Sequence, residues 1–410
     1  MVYTASLAIV LLAVIYGQAR MPHLRDHPSS KKAGVVSAMA AWDGEWYVRI
    51  AAEGYFFSTA RQSSIVFFPA CPLLARVLMT TLRLPPDLSL IIVSNVFLLA
   101  SMVLLDRYVR ERQLWGGPGD RQTVATYAVL AMALFPTTFY FRMAYTETLL
   151  IFLMMLAMYG MRRNWPPLAI AAIIGAATAT RSVGVTLFVP FALHLWRTTD
   201  RLGPFPGGSG PATLLGRYGR FVGRCCVWMP LGCWGLVLFM AYQQWAFGEP
   251  LAFVKGQVLW HDRAEPATRR ERIVNLATLE PIRAVYTPGG QVYWRNRAPH
   301  HSALLNLNFA NPIFFLGTAA LVVLGGVRGW LDRSELAMGL LLLAIPYILQ
   351  SNRMGMTSHA RFAAVVYPAY IVLGHLLARL PQVLSASLLV CSGLLMGAYA
   401  ALFSLWYFFF

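Results

Sequence analysis

The hydrophobic positions of this chain come in long runs without polar stripes at helical spacing; Leu149 to Tyr159 and Leu336 to Leu349 are examples. A helix on the surface of a soluble protein keeps one polar face, so runs of this kind belong in lipid or inside a helical bundle. Along the chain they predict spans at 2–17, 87–105, 123–140, 147–161, 167–180, 183–196, 226–243, 307–326, 335–350, 362–378 and 383–408. That makes about eleven transmembrane helices, each spanning or nearly spanning a hydrocarbon core of roughly 30 Å. The first run, Val2 to Tyr16, lacks a basic leader and a small-residue cleavage site, and reads as a retained helix. A shorter apolar piece at 65–80, opening Ile65-Val66-Phe67-Phe68-Pro69, is expected in the membrane interface. The expected fold class is all-α: a polytopic membrane protein forming one domain over 1–410. Interfacial helices are expected in a first long outer loop (18–86), and a second long outer loop at 244–306.

Composition agrees with this pattern. The chain is 58% hydrophobic and 12% charged, whereas soluble domains carry about a quarter charged residues. The net charge of +17 does not point to nucleic acid. The basic residues are scattered through short connections, the pattern the positive-inside rule produces. With the N-terminus in the cytoplasm, Arg107, Arg110, Arg112 and Arg121, then Arg162 and Arg163, then Arg197 to Arg224, then Arg328 and Arg333 fall on one side. Gly203 to Pro211 reads as a linker on that side. The opposite face then gathers Asp43, Glu45, Arg142, Tyr145, Glu147, Arg181, the stretch Gln243 to Lys255, Trp260, His261, Arg353, His359 and Arg361. Cys71, Cys225, Cys226, Cys233 and Cys391 have no metal-ligand spacing and read as small core residues.

Acidic residues are scarce, 17 of 410, which makes the segment Trp42-Asp43-Gly44-Glu45-Trp46-Tyr47 informative. Glu45, Arg49 and Glu53 stand four apart, so both glutamates are expected to brace the arginine. Asp43 has no such partner, and an unpaired carboxylate among aromatics at a membrane face is costly unless used or solvated. Asp43 is therefore the candidate general base and Glu45 the lesser candidate. Trp42, Trp46 and Tyr47 form an amphipathic wall for substrate. Phe67 and Phe68 serve either as lipid anchors or as the lining of a lipid-chain groove.

Tyr145-Thr146-Glu147 joins two spans. Thr146 is expected to cap the following helix, and Glu147 either favours its dipole or bonds substrate. Arg181, at a hairpin tip, meets either a phosphate or Glu147. Arg353, His359 and Arg361 share a late turn. Arginine there suits bidentate phosphate capture or snorkelling, and His359 either contributes or stays neutral and simply hydrogen-bonds.

Trp42-Asp43 with Ile50-Ala51 and Gly54-Tyr55, Phe67-Phe68-Pro69 with Pro72-Leu73, Tyr145-Thr146-Glu147, Ala179-Thr180-Arg181-Ser182, Phe247-Gly248-Glu249-Pro250, and Ala360-Arg361-Phe362 with Pro368 run in order along nearly the whole chain. Together they resemble the GPI mannosyltransferase 2 family and its prokaryotic relatives, within the C-type glycosyltransferase superfamily. Thr146 departs from the usual serine. The resemblance implies an outward-facing active site and a polyprenyl-phosphate mannose donor. It also implies a glycolipid or other envelope acceptor and an acidic residue in the first outer loop acting as catalytic base. No cofactor or metal is expected, because the leaving lipid phosphate is already a stable anion. A lipid or glycolipid flippase is the rival reading; it would carry repeated halves and broken helices near the midplane.

Overall fold

The computed structural model describes residues 1–21, 34–112, 118–199, 214–260, 266, 268–296 and 302–407. The linker at 203–211 and His261 lie outside the described residues. Among those described there is no strand. The first long helix, α1 (Val2–Arg20), is followed by the short α2 (Val35–Met39), α3 (Asp43–Glu53) and α4 (Ala70–Leu82). Then come α5 (Pro86–Arg110), α6 (Pro118–Leu134), α7 (Glu147–Arg162), α8 (Pro167–Thr180), α9 (Phe188–Thr198), α10 (Leu214–Leu231) and α11 (Trp234–Phe247). The second long loop folds as α12 (Ala252–Lys255), α13 (Arg269–Ala277) and α14 (Glu280–Tyr286). The chain closes with α15 (Leu307–Val327), α16 (Arg333–Met354), α17 (His359–Ala364), α18 (Tyr367–Leu377) and α19 (Gln382–Ser404).

The span count differs from the eleven expected. Five of the described helices (α1, α5, α15, α16 and α19) are long and apolar enough to cross a membrane, or up to seven if each bent pair is one span. One bent pair is α6 with the 3-10 turn Pro136–Arg142, and the other is α10 with α11. Apolar runs alone overcount because they do not show where a helix stops. The segments expected at 167–180, 183–196 and 362–378 fold as helices of 14, 11 and 11 residues, respectively. At 1.5 Å per residue these reach only about 16–21 Å. Pro at N1 or N2 starts both α8 and α18.

Helices α5 and α7 run parallel. Ser94 bonds Tyr145 O at 2.8 Å, Phe97 meets Phe152 at 5.3 Å, and Arg162 bonds Tyr108 O at 3.1 Å. One end of the bundle therefore collects the starts of α5 and α7, and the other end collects their C-termini. The main core fills α5 to α9 with α15, α16 and α18. A second core joins α1, α19 and the Pro136–Arg142 turn, and a third joins α3, α4 and the start of α5.

Two expectations are corrected at this level. Arg142 is buried, and it bonds Asn95 Oδ1 and Tyr3 O, each at 2.8 Å, and Ser6 Oγ at 2.5 Å. It braces α1 and stands outside any outward-facing site. The contact also brings the first turn of α1 level with Arg142, whereas the charge map assigns them to opposite faces. Of the cysteines only Cys71 is buried; Cys225 and Cys233 are half-buried, and Cys226 and Cys391 are exposed on their helices.

Candidate active site

Asp43 is the first residue of α3, directly after Trp42, whose φ of 62° is in the left-handed region that costs a bulky residue energy. Two contacts hold that turn. The Trp42 indole N–H donates to Phe403 O at 3.2 Å, and its ring lies 4.8 Å from that of Trp406. The C-terminal end of α19 thus positions the start of α3. A second sharp turn, with Gly355 and Ser358 at φ of 62° and 63°, leads into α17. Ala360 N donates to Asn311 Oδ1 at 2.9 Å, fixing α17 to α15.

These two turns bring Asp43 and Arg361 together: Arg361 Nη1 donates to Asp43 Oδ2 at 2.6 Å. The expectation of an unpartnered Asp43 is corrected; its partner is distant in sequence, where helical spacing could not reveal it. Arg361 Nε also lies 3.4 Å from Glu147 Oε1, and Arg181 Nη1 donates to that same oxygen at 2.7 Å. Asp43, Arg361, Glu147 and Arg181 therefore form one chain of alternating charge. Glu147 is the first residue of α7 and Arg181 directly follows α8. Of the two partners expected for Arg181, the internal pair with Glu147 is present.

The chain is enclosed. The side chains of Glu147 and Arg361 are 2% and 6% exposed, while those of Asp43 and Arg181 keep 21% and 20%. The accessible edge is thus Asp43 on one side and Arg181 on the other. Thr146 does not cap α7 with its side chain. Its hydroxyl instead meets Tyr47 OH and Arg181 Nη1, each at 3.4 Å. The second carboxylate oxygen of Glu147, Oε2, has no hydrogen-bond partner among the described residues. Beside it is a cavity of about 50 Å³ lined by Arg181, Arg361, Gln350, Phe362 and Glu147. That is room for water and not for a sugar, since small-molecule sites run to about 300 Å³ or more.

Burial works to lower the pKa of the Arg361 guanidinium, but Asp43 and Glu147 outweigh it and hold the group above the ordinary arginine range. Burial raises the phenols of Tyr47 and Tyr145, so both remain protonated donors. Burial likewise pushes the Cys71 thiol up to about 12, which removes it as a nucleophile.

The aromatic wall is only partly as expected. Trp46 stacks on Phe67 at 5.9 Å, Tyr47 meets Phe67 edge-on at 5.0 Å, and Trp260 meets Trp46 at 5.3 Å. Phe68 turns away to pack on Phe239 and Phe253 at 5.2 and 5.6 Å. Successive residues point apart, so the two phenylalanines do not line one groove. Glu45 forms no ion pair among the described residues, because Arg49 pairs with Glu53 at 2.9 Å and lies over the Phe56 ring. Both neighbours sit four positions from Arg49, and the more exposed glutamate takes it.

His359 is wholly buried. Its ring nitrogens meet Ser351 Oγ and Thr357 O, each at 3.1 Å, so it packs the turn behind Arg361. Arg353 lies in the last turn of α16, half-buried, and does not line the cavity. Sequence reasoning missed Thr146 as a polar link, along with Tyr140 and Phe362, whose rings face the Arg361 guanidinium at 5.9 and 5.5 Å. Phe362 also faces Arg181 at 5.6 Å. Their signal was adjacency: each stands beside or within a motif already singled out.

No family model and no curated protein matches the chain. Among solved structures it is similar to the Archaeoglobus fulgidus oligosaccharyltransferase complex with Zn and sulfate: 13% identity over 97% of this chain and 53% of that one, TM-score 0.43. It is also similar to the archaeal oligosaccharyltransferase AglB from Archaeoglobus fulgidus, in complex with an inhibitory peptide and a dolichol-phosphate. That match has 14% identity over 98% of this chain and 56% of that one, TM-score 0.42. The chain spans about half the length of the structures it matches. Likeness at this level assigns no role to any residue, and the site rests on its own geometry.

Proposed function

We propose that this protein is an integral-membrane glycosyltransferase. It would move a sugar, mannose in the reading drawn from the motif resemblance, from a polyprenyl-phosphate donor to a lipid-linked or other envelope acceptor. The site would face the non-cytoplasmic side. The observation that carries the reading is the enclosed chain Asp43–Arg361–Glu147–Arg181, with one carboxylate and one guanidinium at its accessible edges and aromatic rings beside it.

The reaction is one displacement with inversion. The acceptor oxygen attacks the anomeric carbon as Asp43 takes its proton, and the bond from that carbon to the phosphate oxygen breaks. The electron pair leaves on the lipid phosphate, so one general base suffices and no paired carboxylates of the glycosidase kind are needed. Arg361 and Arg181 meet the growing negative charge of the leaving phosphate. Without donor their charge is held by Asp43 and Glu147. The arriving phosphate then competes for the guanidiniums and releases Asp43 to act as base. The cavity is too small for a sugar, so binding opens the site around the α17 turn.

Isolated membranes holding the protein, given labelled polyprenyl-phosphate mannose, are expected to yield a mannosylated lipid or envelope product. Translocation of the donor without transfer would instead favour the flippase reading. Neither transfer nor translocation, from protein shown to be folded, would overturn both.

A further inference from the structure

The end of the bundle away from Asp43 holds a second cavity, of about 450 Å³, lined by Arg112, Arg121, Arg379, His375, Thr123 and Asp120 along with apolar residues. Its volume is within the range of small-ligand sites. It is separate from the first cavity. Arg112 pairs with Glu335 at the start of α16, whereas Leu349 and Gln350 near the end of α16 line the site described above. Those positions are about 22 Å apart along a helix.

Arg112 is buried, Arg121 half-buried and Arg379 exposed at this cavity, and beyond Glu335, which pairs with Arg112, the described residues supply little counter-charge there. Arg112 is 1% exposed; Nη2 is engaged by Glu335, while Nε and Nη1 have no hydrogen-bond partner among the described residues. Arg121 donates Nη1 to Arg112 O at 3.1 Å and leaves Nε buried without a partner. Arg379 donates to His375 O at 2.8 Å and its guanidinium lies over the Trp330 ring at 4.5 Å. Glu335 is occupied: it takes Tyr108 OH at 2.8 Å and Asp332 N at 2.7 Å besides Arg112. The one carboxylate on the lining, Asp120, is exposed. Buried guanidinium N–H groups without acceptors are costly, and an oxoanion is the ligand that satisfies several of them at once.

We infer that this cavity binds a phosphate group, through Arg112, Arg121 and Arg379. The cavity lies at the C-terminal ends of apolar α5 and α18, through Val109, His375 and Ala378, so a phospholipid headgroup and a free phosphate both present suitable chemistry.

The test uses the full-length protein in detergent, with binding read by calorimetry and by native mass spectrometry. The probes are dioctanoyl phosphatidylglycerol, dioctanoyl phosphatidylcholine and inorganic phosphate. Arg121→Gln/Arg379→Gln is the informative variant, because neither side chain holds an ion pair that the fold depends on. Arg112→Gln is left aside because it strands Glu335. Phosphatidylglycerol is expected to bind at least tenfold tighter to the parent than to the double variant, and Asp120→Asn is expected to bind it tighter still. Binding of lipid with weak competition by inorganic phosphate assigns the headgroup as the source; binding of inorganic phosphate alone assigns a free anion. Binding of neither, or equal binding by parent and double variant, overturns the inference. None of these outcomes bears on transfer at Asp43, so the two proposals fail separately.

Discussion

Arg361 donates to Asp43 at 2.6 Å across 318 positions of sequence, and through its Nε it lies within 3.4 Å of Glu147. One guanidinium therefore ties the start of α3 to the start of α7 and to the α17 turn. In the proposed reaction Asp43, held in this way, becomes a base only once the donor phosphate takes its arginine. Asp43→Asn keeps the shape and a hydrogen-bond acceptor but cannot take a proton. Transfer is expected to fall by about 100-fold or more, the usual contribution of a general base. Thermal unfolding in detergent is expected to shift little, because Glu147 still balances Arg361. Parent-like transfer by folded Asp43→Asn protein would remove Asp43 as the base.

Arg361 itself is expected to matter for folding as well as chemistry. Arg361→Gln leaves Asp43 without its cation and Glu147 with Arg181 alone, so one carboxylate is in excess. Breaking a fully buried pair costs about 3–5 kcal/mol, and the partial exposure of Asp43 keeps the loss below that. Adding Glu147→Gln removes the excess carboxylate and leaves Asp43 and Arg181 as one charge of each sign, so the double variant is expected to unfold at a higher temperature than Arg361→Gln alone. Activity should not return with stability. If the two substitutions simply add in unfolding experiments, the pairing seen here has no energetic weight.

The bundle and the charged residues of the site were legible in sequence; of their pairing, Arg181 with Glu147 was one of two readings and Asp43 with Arg361 was not foreseen. Asp43, Glu147, Arg181 and Arg361 stood out because charge is scarce in an apolar chain, and all four meet. Helical spacing, the one pairing rule available, offered Glu45 to Arg49 and could not weigh it against Glu53 or the Phe56 ring. It also had no means of reaching residue 361 from residue 43. His359 and Arg142 stood out for the same reason as the site residues, yet both are buried braces. Polar side chains that hold a turn and polar side chains that act look alike until their partners are known. The short helices α8, α9 and α18 were overread because an apolar run has the same composition whether it crosses a membrane or packs inside a bundle.

His359 gives a pH signature distinct from the site. Burial pushes its imidazole down to about 4 from the usual 6.5, and its backbone bond to Thr357 only partly offsets this. The unfolded chain thus takes up this proton between about pH 6.5 and pH 4 while the folded protein refuses it. The stability this neutral histidine contributes is complete above pH 6.5 and is lost as pH falls through that window. Unfolding temperatures of parent and His359→Gln, measured from pH 7.5 to 4, are expected to converge toward the acid end. A constant gap between the two would mean that His359 titrates normally.

Helices α8 and α11 cross at glycines. A β-carbon on Gly235 would sit 2.1 Å from Gly175 O and 2.7 Å from Ala179 Cβ, and neither neighbour is the far end of a flexible chain. Small residues allow such approach, and overpacking costs about 1–3 kcal/mol. Gly235→Ala is expected to lower the unfolding temperature, whereas Gly219→Ala on α10, where nothing lies within 4 Å, is expected to leave it unchanged. Equal behaviour of the two would show that this crossing is not tightly packed in solution.

Glu147 is the residue whose replacement separates a holding role from a catalytic one. It occupies Arg181 at 2.7 Å and approaches Arg361, the two cations proposed for the donor phosphate. If it holds the guanidiniums that the donor phosphate would take, Glu147→Gln removes a competitor of the donor. Binding of a short polyprenyl phosphate, the reaction product, is then expected to tighten by about tenfold, equivalent to 1.4 kcal/mol. Turnover is expected to slow, because the product leaves less readily, while a single enzyme-bound turnover proceeds near the parental rate. A glutamate that bonds the sugar or shapes the transition state predicts the opposite pattern: unchanged or weaker product binding and a slow single turnover. Rapid-mixing measurements of one turnover, set beside calorimetric titration with the phosphate product, tell the two roles apart.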